Sequence, residues 1–310
     1  MAEAHNHAHG HGHGHDHGPV NFNRAFAVGV GLNIALVAGQ AFYGWIAGSL
    51  ALLADAGHNL SDVMGLMLAW GAAILATRRP TARRTYGFRR TSIYAAVLNG
   101  FILMLASGAI GLDAIRRFRE PEPVAGGLVA LVAVVAIVIN TATAMLFYRG
   151  RATDLNIRGA YLHMAADAAV SVGVLAAALG IRATGWMWLD PVTSLVIVGV
   201  IVAGTWSLLK ESLELAMDAV PRAINIAEVE GYLKDLPGVC EVHDLHIWAM
   251  STTESALTAH LVCPDGAEGD ALLNRACREL HDRFGIEHST LQVEHGDAAH
   301  PCRLAPRDVV

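Results

Sequence analysis

The 310-residue chain is 54% hydrophobic and 16% charged, where a soluble domain carries about 25% charged residues, so its composition predicts a membrane protein. The formal charge of −6 is spread unevenly, and lysine occurs only at Lys210 and Lys234. No basic domain suggests a nucleic-acid partner, and Cys240, Cys263, Cys277 and Cys302 all follow the last apolar stretch without a CxxC pair, as reduced thiols of a cytosolic domain would.

Residues 1–21 are of low complexity. His5, His7, His9, His11, His13, His15 and His17 alternate mostly with Gly, Asn, Ala or Asp. Such a tract cannot bury a core and is expected to be a disordered, metal-binding tail. Its interruptions set it apart from an unbroken purification tag. A full apolar span follows, so no cleaved signal peptide is expected.

Six apolar segments follow, near Phe26–Ala47, Leu50–Ala76, Thr91–Ile115, Val124–Phe147, Ala160–Leu179 and Pro191–Leu209. Each approaches the roughly 20 residues that a membrane-crossing helix needs. Arginines set the orientation. Arg78, Arg79, Arg83, Arg84, Arg89 and Arg90 follow the second span, Arg149, Arg151 and Arg158 follow the fourth, and Arg24 and Lys210 flank the bundle. Both termini are therefore expected in the cytoplasm. Arg116, Arg117 and Arg119 after the third span oppose this, next to Glu120 and Glu122. The Arg-rich loop at 78–90 is read as a topology signal rather than a site for anionic lipid.

The second span carries Asp55, His58 and Asp62. The fifth carries His163 and Asp167. An ionisable group at bilayer depth costs roughly 2.5–3.5 kcal/mol on insertion scales, so such residues pair and serve a function. In each span the His and the Asp lie four residues apart, on one helix face. If the two pairs converge they supply two nitrogens and two oxygens, a tetrahedral set of the kind zinc takes. Asp55 lies a turn before His58. It either feeds protons or hydrated metal to the pair or caps the helix start at Ser49. Asn33, Gln40, Asn99 and Asn140 are read as interhelical hydrogen-bonding groups. Each charged span is the middle one of three, which suggests a 3+3 organisation.

After Pro221 the pattern changes. Ala223–Leu236 and Gly269–Phe284 read as amphipathic helices, and Val239–Ala249, Ser255–Val262 and Ser289–Glu294 as strands. The fold class expected is an all-α six-helix transmembrane bundle followed by a small, metallochaperone-like α-β-β-α-β domain. The domains are drawn at 1–21, 22–217, 218–296 and an irregular tail at 297–310. A soluble unit this small is marginal alone, and dimerisation would help it.

LADAGHNLSD in the second span, YLHMAADAAVS in the fifth, and VHDLHIW with HSTLQVE in the last domain resemble the cation diffusion facilitators. The resemblance runs from about residue 22 to 294. It implies a proton-coupled exporter of divalent transition metals that works as a Y-shaped homodimer in a lipid bilayer. By likeness to short bacterial members, that bilayer would be an inner membrane. His58, Asp62, His163 and Asp167 match the family's transport site. Spans one, two, four and five would form the moving bundle, with three and six nearer the partner. His at position 58 is the pattern associated with zinc, where members carrying cadmium have Asp. The family's cytosolic metal site is matched by His243, His260 and Glu294, with His295 and Asp297 as alternatives on a one-residue shift of register. His246, His281, His288 and His300 are given no metal role, and Cys302 near His300 is noted as a possible soft pair.

The function this implies is zinc/proton antiport, with cadmium, cobalt or nickel as alternative cargo and no organic cofactor. No P-loop points to ATP. An intramembrane zinc hydrolase would need three ligands, an open position and a base, and HExxH is absent. A non-transporting membrane zinc sensor is the remaining rival.

Overall fold

The computed structural model describes residues 24–76, 78–148, 155–264, 269–297, 299 and 301–306. The His-rich tract at 1–21 lies outside these residues, as does His300. Among the described residues, six long helices come first: α1 (Arg24–Ala47), α2 (Leu50–Ala76), α3 (Thr91–Arg117), α4 (Gly126–Phe147), α5 (Leu155–Thr184) and α6 (Leu189–Ala216). Thr91–Arg117, Gly126–Met145, Tyr161–Thr184 and Leu189–Ala216 are long and apolar enough to cross a membrane. The fifth and sixth helices outrun the predicted spans. Apolar composition marks the part suited to lipid, whereas backbone hydrogen bonding carries a helix on into polar residues such as Lys210 and Glu214.

The helices pack chiefly as α4 on α5 and α3 on α6, with α2 touching α1, α3, α5 and α6. Small residues allow the close approach. A Cβ on Gly126 would lie 2.9 Å from the Ala178 carbonyl of α5, and one on Gly100 3.3 Å from the Leu209 side chain of α6. The bundle core gathers Leu52, Ala54, Val129, Val132, Val174, Ile181 and Ile197. Leu105, Leu112, Val196, Val200 and Leu208 face outward, as apolar side chains in lipid do.

The turn from α1 into α2 carries the bundle's tightest polar knot. Gly48 takes φ +65 with the Pro123 carbonyl 2.9 Å from where a Cβ would stand, so only glycine fits there. The first N–H groups of a helix lack internal partners. Here the cap comes from α6, far away in sequence. Asp190 accepts from Leu50 N–H at 2.8 Å, Ala51 N–H at 3.4 Å and Ser49 Oγ at 2.5 Å. Arg117, at the end of α3, donates to the Gly48 carbonyl. It also pairs with Glu122 at 3.1 Å and approaches Asp190 to 4.0 Å. Asp190 and Ser49 are buried. The helix start at Ser49 is thus capped by Asp190, not by Asp55.

Beyond α6 lie α7 (Ile226–Lys234), β1 (Glu241–Ala249), β2 (Ser255–Val262), α8 (Gly269–Phe284) and β3 (Ile286–Glu294), the expected α-β-β-α-β order. The sheet runs β1-β2-β3. β1 pairs antiparallel with β2, and β2 parallel with β3, with α8 as the crossover that a parallel pair requires. β3 begins before the predicted Ser289 because Ile286 already pairs with Ser255. Val229, Leu233, Leu257, Leu261, Ala276 and Leu280 form the second core. Arg89 binds Glu254 at 2.7 Å, Arg90 binds Asp218, and Ser92 Oγ accepts from Thr252 N–H at 3.1 Å, fastening this unit to the α2–α3 connection. The four cysteines are free thiols.

Leaving a buried donor unsatisfied costs about 1–3 kcal/mol. Asp190→Ala is therefore expected to lower the thermal midpoint of the detergent-solubilised protein, and Asp190→Asn, which keeps one acceptor oxygen, to lower it less. An unchanged midpoint in Asp190→Ala would contradict the cap.

Candidate metal centres

α2 and α5 bring the two His/Asp pairs together. His58 Nε2 lies 3.4 Å from Asp167 and 3.9 Å from Asp62. His163 Nε2 lies 3.2 Å from Asp62 and 3.7 Å from Asp167. Each imidazole therefore faces both carboxylates. The donor atoms of His58, Asp62 and Asp167 all fall within 4.8 Å of one another, and His163 joins them through the two carboxylates. The imidazole centroids are 6.0 Å apart. Asp167 is 1% exposed, and both its carboxylate oxygens, with Oδ2 of Asp62, lack a hydrogen-bond donor. Anionic oxygens buried in this state require a cation nearby. His58 and Asp62 are half-buried, so the cluster is reachable from one side.

Behind this cluster runs a polar ladder linking α1, α2 and α5. Gln40 Nε2 donates to Asp55 Oδ2 at 2.5 Å, Ser171 Oγ donates to the same oxygen at 3.2 Å, and Asn59 donates to Gln40 Oε1 at 3.1 Å. Gln40, Asp55, Asn59 and Ser171 are all buried. Asp55 is an interhelical acceptor in this ladder. Gln40 fulfils the expected hydrogen-bonding role, as does Asn99, which donates to Ser61 at 3.3 Å. Asn140 is fully buried with no hydrogen-bond partner on its amide, and nothing in the structure explains it. Ser171 and Asn59 were missed by sequence reasoning. The available signal was spacing: Ser171 stands one turn beyond Asp167, and Asn59 one turn beyond Asp55.

The second cluster sits on the sheet. His243 and His260 are direct partners across β1 and β2, with ring centroids 5.1 Å apart. Glu294 arrives from the end of β3, opposite Val262. Its carboxylate lies 3.4 Å from His243 Nε2 and 2.9 Å from His260 Nδ1. A register shift follows His243, where Asp244 adopts φ 51. That break turns Asp244 back toward His260 Nε2, at 3.5 Å. Asp244 also binds His246 at 2.9 Å. Cys302, beyond the last strand, places Sγ 3.5 Å from His260 Nδ1. The donor atoms of His243, His260, Glu294 and Cys302 all lie within 4.8 Å of one another. Burial raises the Glu294 carboxyl, but hydrogen bonds from Cys302 and Gln292 and the charges of the two histidines outweigh it and hold the group below the usual carboxylate range.

Glu294, rather than His295 or Asp297, completes this cluster: His295 is exposed, and Asp297 accepts from Ala299 N–H. His281 pairs with Glu287, and His288 packs edge-on against Tyr86.

Residues 26–215 match the cation efflux transmembrane domain and residues 221–296 the cytoplasmic domain of cation efflux proteins. The chain belongs to the cation efflux family. Among its relatives in this family is a "Cadmium, cobalt and zinc/H(+)-K(+) antiporter" of Bacillus velezensis, 36% identical over 84% of this chain and 84% of its own. The "Zinc transporter ZitB" of Shigella flexneri is 36% identical over 90% of this chain and 89% of its own. A solved metal-bound C-terminal domain of the CzcD transporter of Cupriavidus metallidurans is 38% identical, covering 23% of this chain and 99% of that domain, with a TM-score of 0.21.

The ladder yields its own expectation. Gln40→Leu removes a donor to Asp55 and the acceptor of Asn59. It should destabilise the protein by about 1–3 kcal/mol, read as a lowered thermal midpoint in detergent. A midpoint at or above that of the parent would show that the ladder is not a structural tie between α1 and α2.

Proposed function

We propose that this cation efflux protein exports a divalent metal cation, zinc foremost, in exchange for protons, and that His58, Asp62, His163 and Asp167 form the transport site. The convergence of two imidazoles and two carboxylates from α2 and α5 carries this reading. Two nitrogens and two oxygens suit a tetrahedral zinc, whereas magnesium and calcium take six or more oxygens. Two carboxylates balance the charge of the dication, so a loaded site is close to neutral inside the bundle.

Exchange follows from competition for the same atoms. Metal binds deprotonated ligands, so loading releases protons. Imidazole titrates near pH 6.5, within reach of cytoplasmic pH. Cytoplasmic zinc would displace protons from His58 and His163. The bundle would turn the site outward, and protons there would displace the metal and reset it, making the protein a secondary transporter. On this reading the membrane is a bacterial inner membrane with both termini cytoplasmic, and the chain works as a homodimer joined through its cytoplasmic domain. His243, His260 and Glu294 are the proposed second metal site, on the cytoplasmic side. The relative described as a cadmium, cobalt and zinc antiporter supports testing cadmium and cobalt as competing cargo.

The test is zinc accumulation in inverted vesicles under an imposed pH gradient. Uptake should require the gradient and resist excess magnesium. Losing even an outer-sphere partner of a bound metal costs about 10–100-fold, so removing a direct ligand in Asp167→Ala should reduce uptake by more than about tenfold. Uptake unaffected by Asp167→Ala would overturn the site. Tight zinc binding without any flux would make the protein a sensor instead.

A further inference from the structure

We propose that Cys302, in the segment after the last strand, is a thiolate ligand of the cytoplasmic metal site and closes it as a complete four-ligand set within one chain. This rests on the reading of His243, His260 and Glu294 as metal ligands. In sequence Cys302 stands out only beside His300; the geometry sets it against His260. Its Sγ stands 3.5 Å from His260 Nδ1, on the same side as the Glu294 carboxylate that faces that nitrogen at 2.9 Å. All four donors lie within 4.8 Å of one another. His243 gives an independent indication. Its side chain is 6% exposed, with Nε2 facing the Glu294 carboxylate at 3.4 Å and Nδ1 without a hydrogen-bond partner, a costly state for a buried imidazole that a metal taking its lone pair would relieve.

The chemistry favours the fourth ligand. Structural zinc sites are closed tetrahedra of nitrogen and sulfur donors, sometimes with a carboxylate. Two histidines and Glu294 alone leave the dication with one uncompensated charge and an open position. A Cys302 thiolate fills the position and brings the ion and its ligands to neutrality, the thiol proton passing to solvent as the Zn–S bond forms. Asp244 at 3.5 Å from His260 Nε2 orients that ring so that Nδ1 faces Glu294 and Cys302, a carboxylate–histidine–metal relay. A soft sulfur donor also biases the site toward zinc, cadmium and cobalt over magnesium and manganese. Metal binding would therefore hold the C-terminal segment in the place it takes beside the sheet.

The test uses the full-length protein in detergent, in an Asp62→Ala/Asp167→Ala background that removes the proposed transmembrane site, with Co2+ as the probe. A sulfur-to-cobalt charge-transfer band in the near ultraviolet is expected. It should vanish in Cys302→Ser and in His260→Ala and persist in Cys240→Ser. Zinc should also slow alkylation of Cys302 by more than about tenfold, followed by peptide mass spectrometry, and this protection should disappear in His260→Ala. Tetrahedral cobalt absorption that depends on His260 but carries no sulfur band would overturn the role of Cys302 and leave the three-ligand site standing. Cobalt absorption indifferent to His260→Ala would overturn both.

Discussion

Two carboxylates stand together inside the helical bundle, Asp167 fully buried and Asp62 half-buried. Asp167 is 1% exposed, and His58 Nε2 at 3.4 Å and His163 Nε2 at 3.7 Å are the polar groups that face its oxygens. Anions in that condition are costly unless a positive charge stands beside them. The groups within reach that can supply one are two imidazoles, each facing both carboxylates. An imidazole can carry a proton or give its lone pair to a metal, but not both at the same nitrogen. On the proposed reading, two protonated rings or one dication would satisfy the same carboxylates, and exchange would need only a bundle that can present the cluster to either side.

The remainder of the transmembrane structure fixes where these atoms stand. α2 is held at one end by Asp190, Ser49 and Arg117, which tie its start to α3 and α6. About a turn further on, Asp55 joins it to Gln40 on α1 and Ser171 on α5. The cap binds α2 to the α3–α6 pair, and the ladder binds it to α1 and to α5, the helix that completes the cluster. Just before α3, Arg89 and Arg90 connect the bundle to Glu254 and Asp218.

Much of this was legible in the sequence, for a physical reason. His58, Asp62, His163 and Asp167 announce themselves because ionisable residues inside apolar spans are expensive, and an interval of four places each pair on one face. The sheet domain was readable from its alternating strands, and His243 and His260 were placed by resemblance and then found opposite one another across β1 and β2. Other features were not legible. Asp190 falls at the edge of its span, and its role as a cap depends on a helix start some 140 residues away, which no local pattern encodes. The rotation of α1 that turns Gln40 toward Asp55 is set by packing, not periodicity. Cys302 lies in a segment with neither strand nor helix pattern, so only the folded chain shows it returning to His260.

On the proposed reading, one metal ion sits among the four transmembrane side chains. Anomalous X-ray scattering at the zinc edge from the zinc-loaded protein tests it most directly. The expected result is a single peak per chain between α2 and α5, with His58, Asp62, His163 and Asp167 all at bonding distances of about 2.0–2.2 Å. A fully loaded protein with no anomalous peak there, or with an ion held by water while these four side chains remain out of bonding reach, would contradict it.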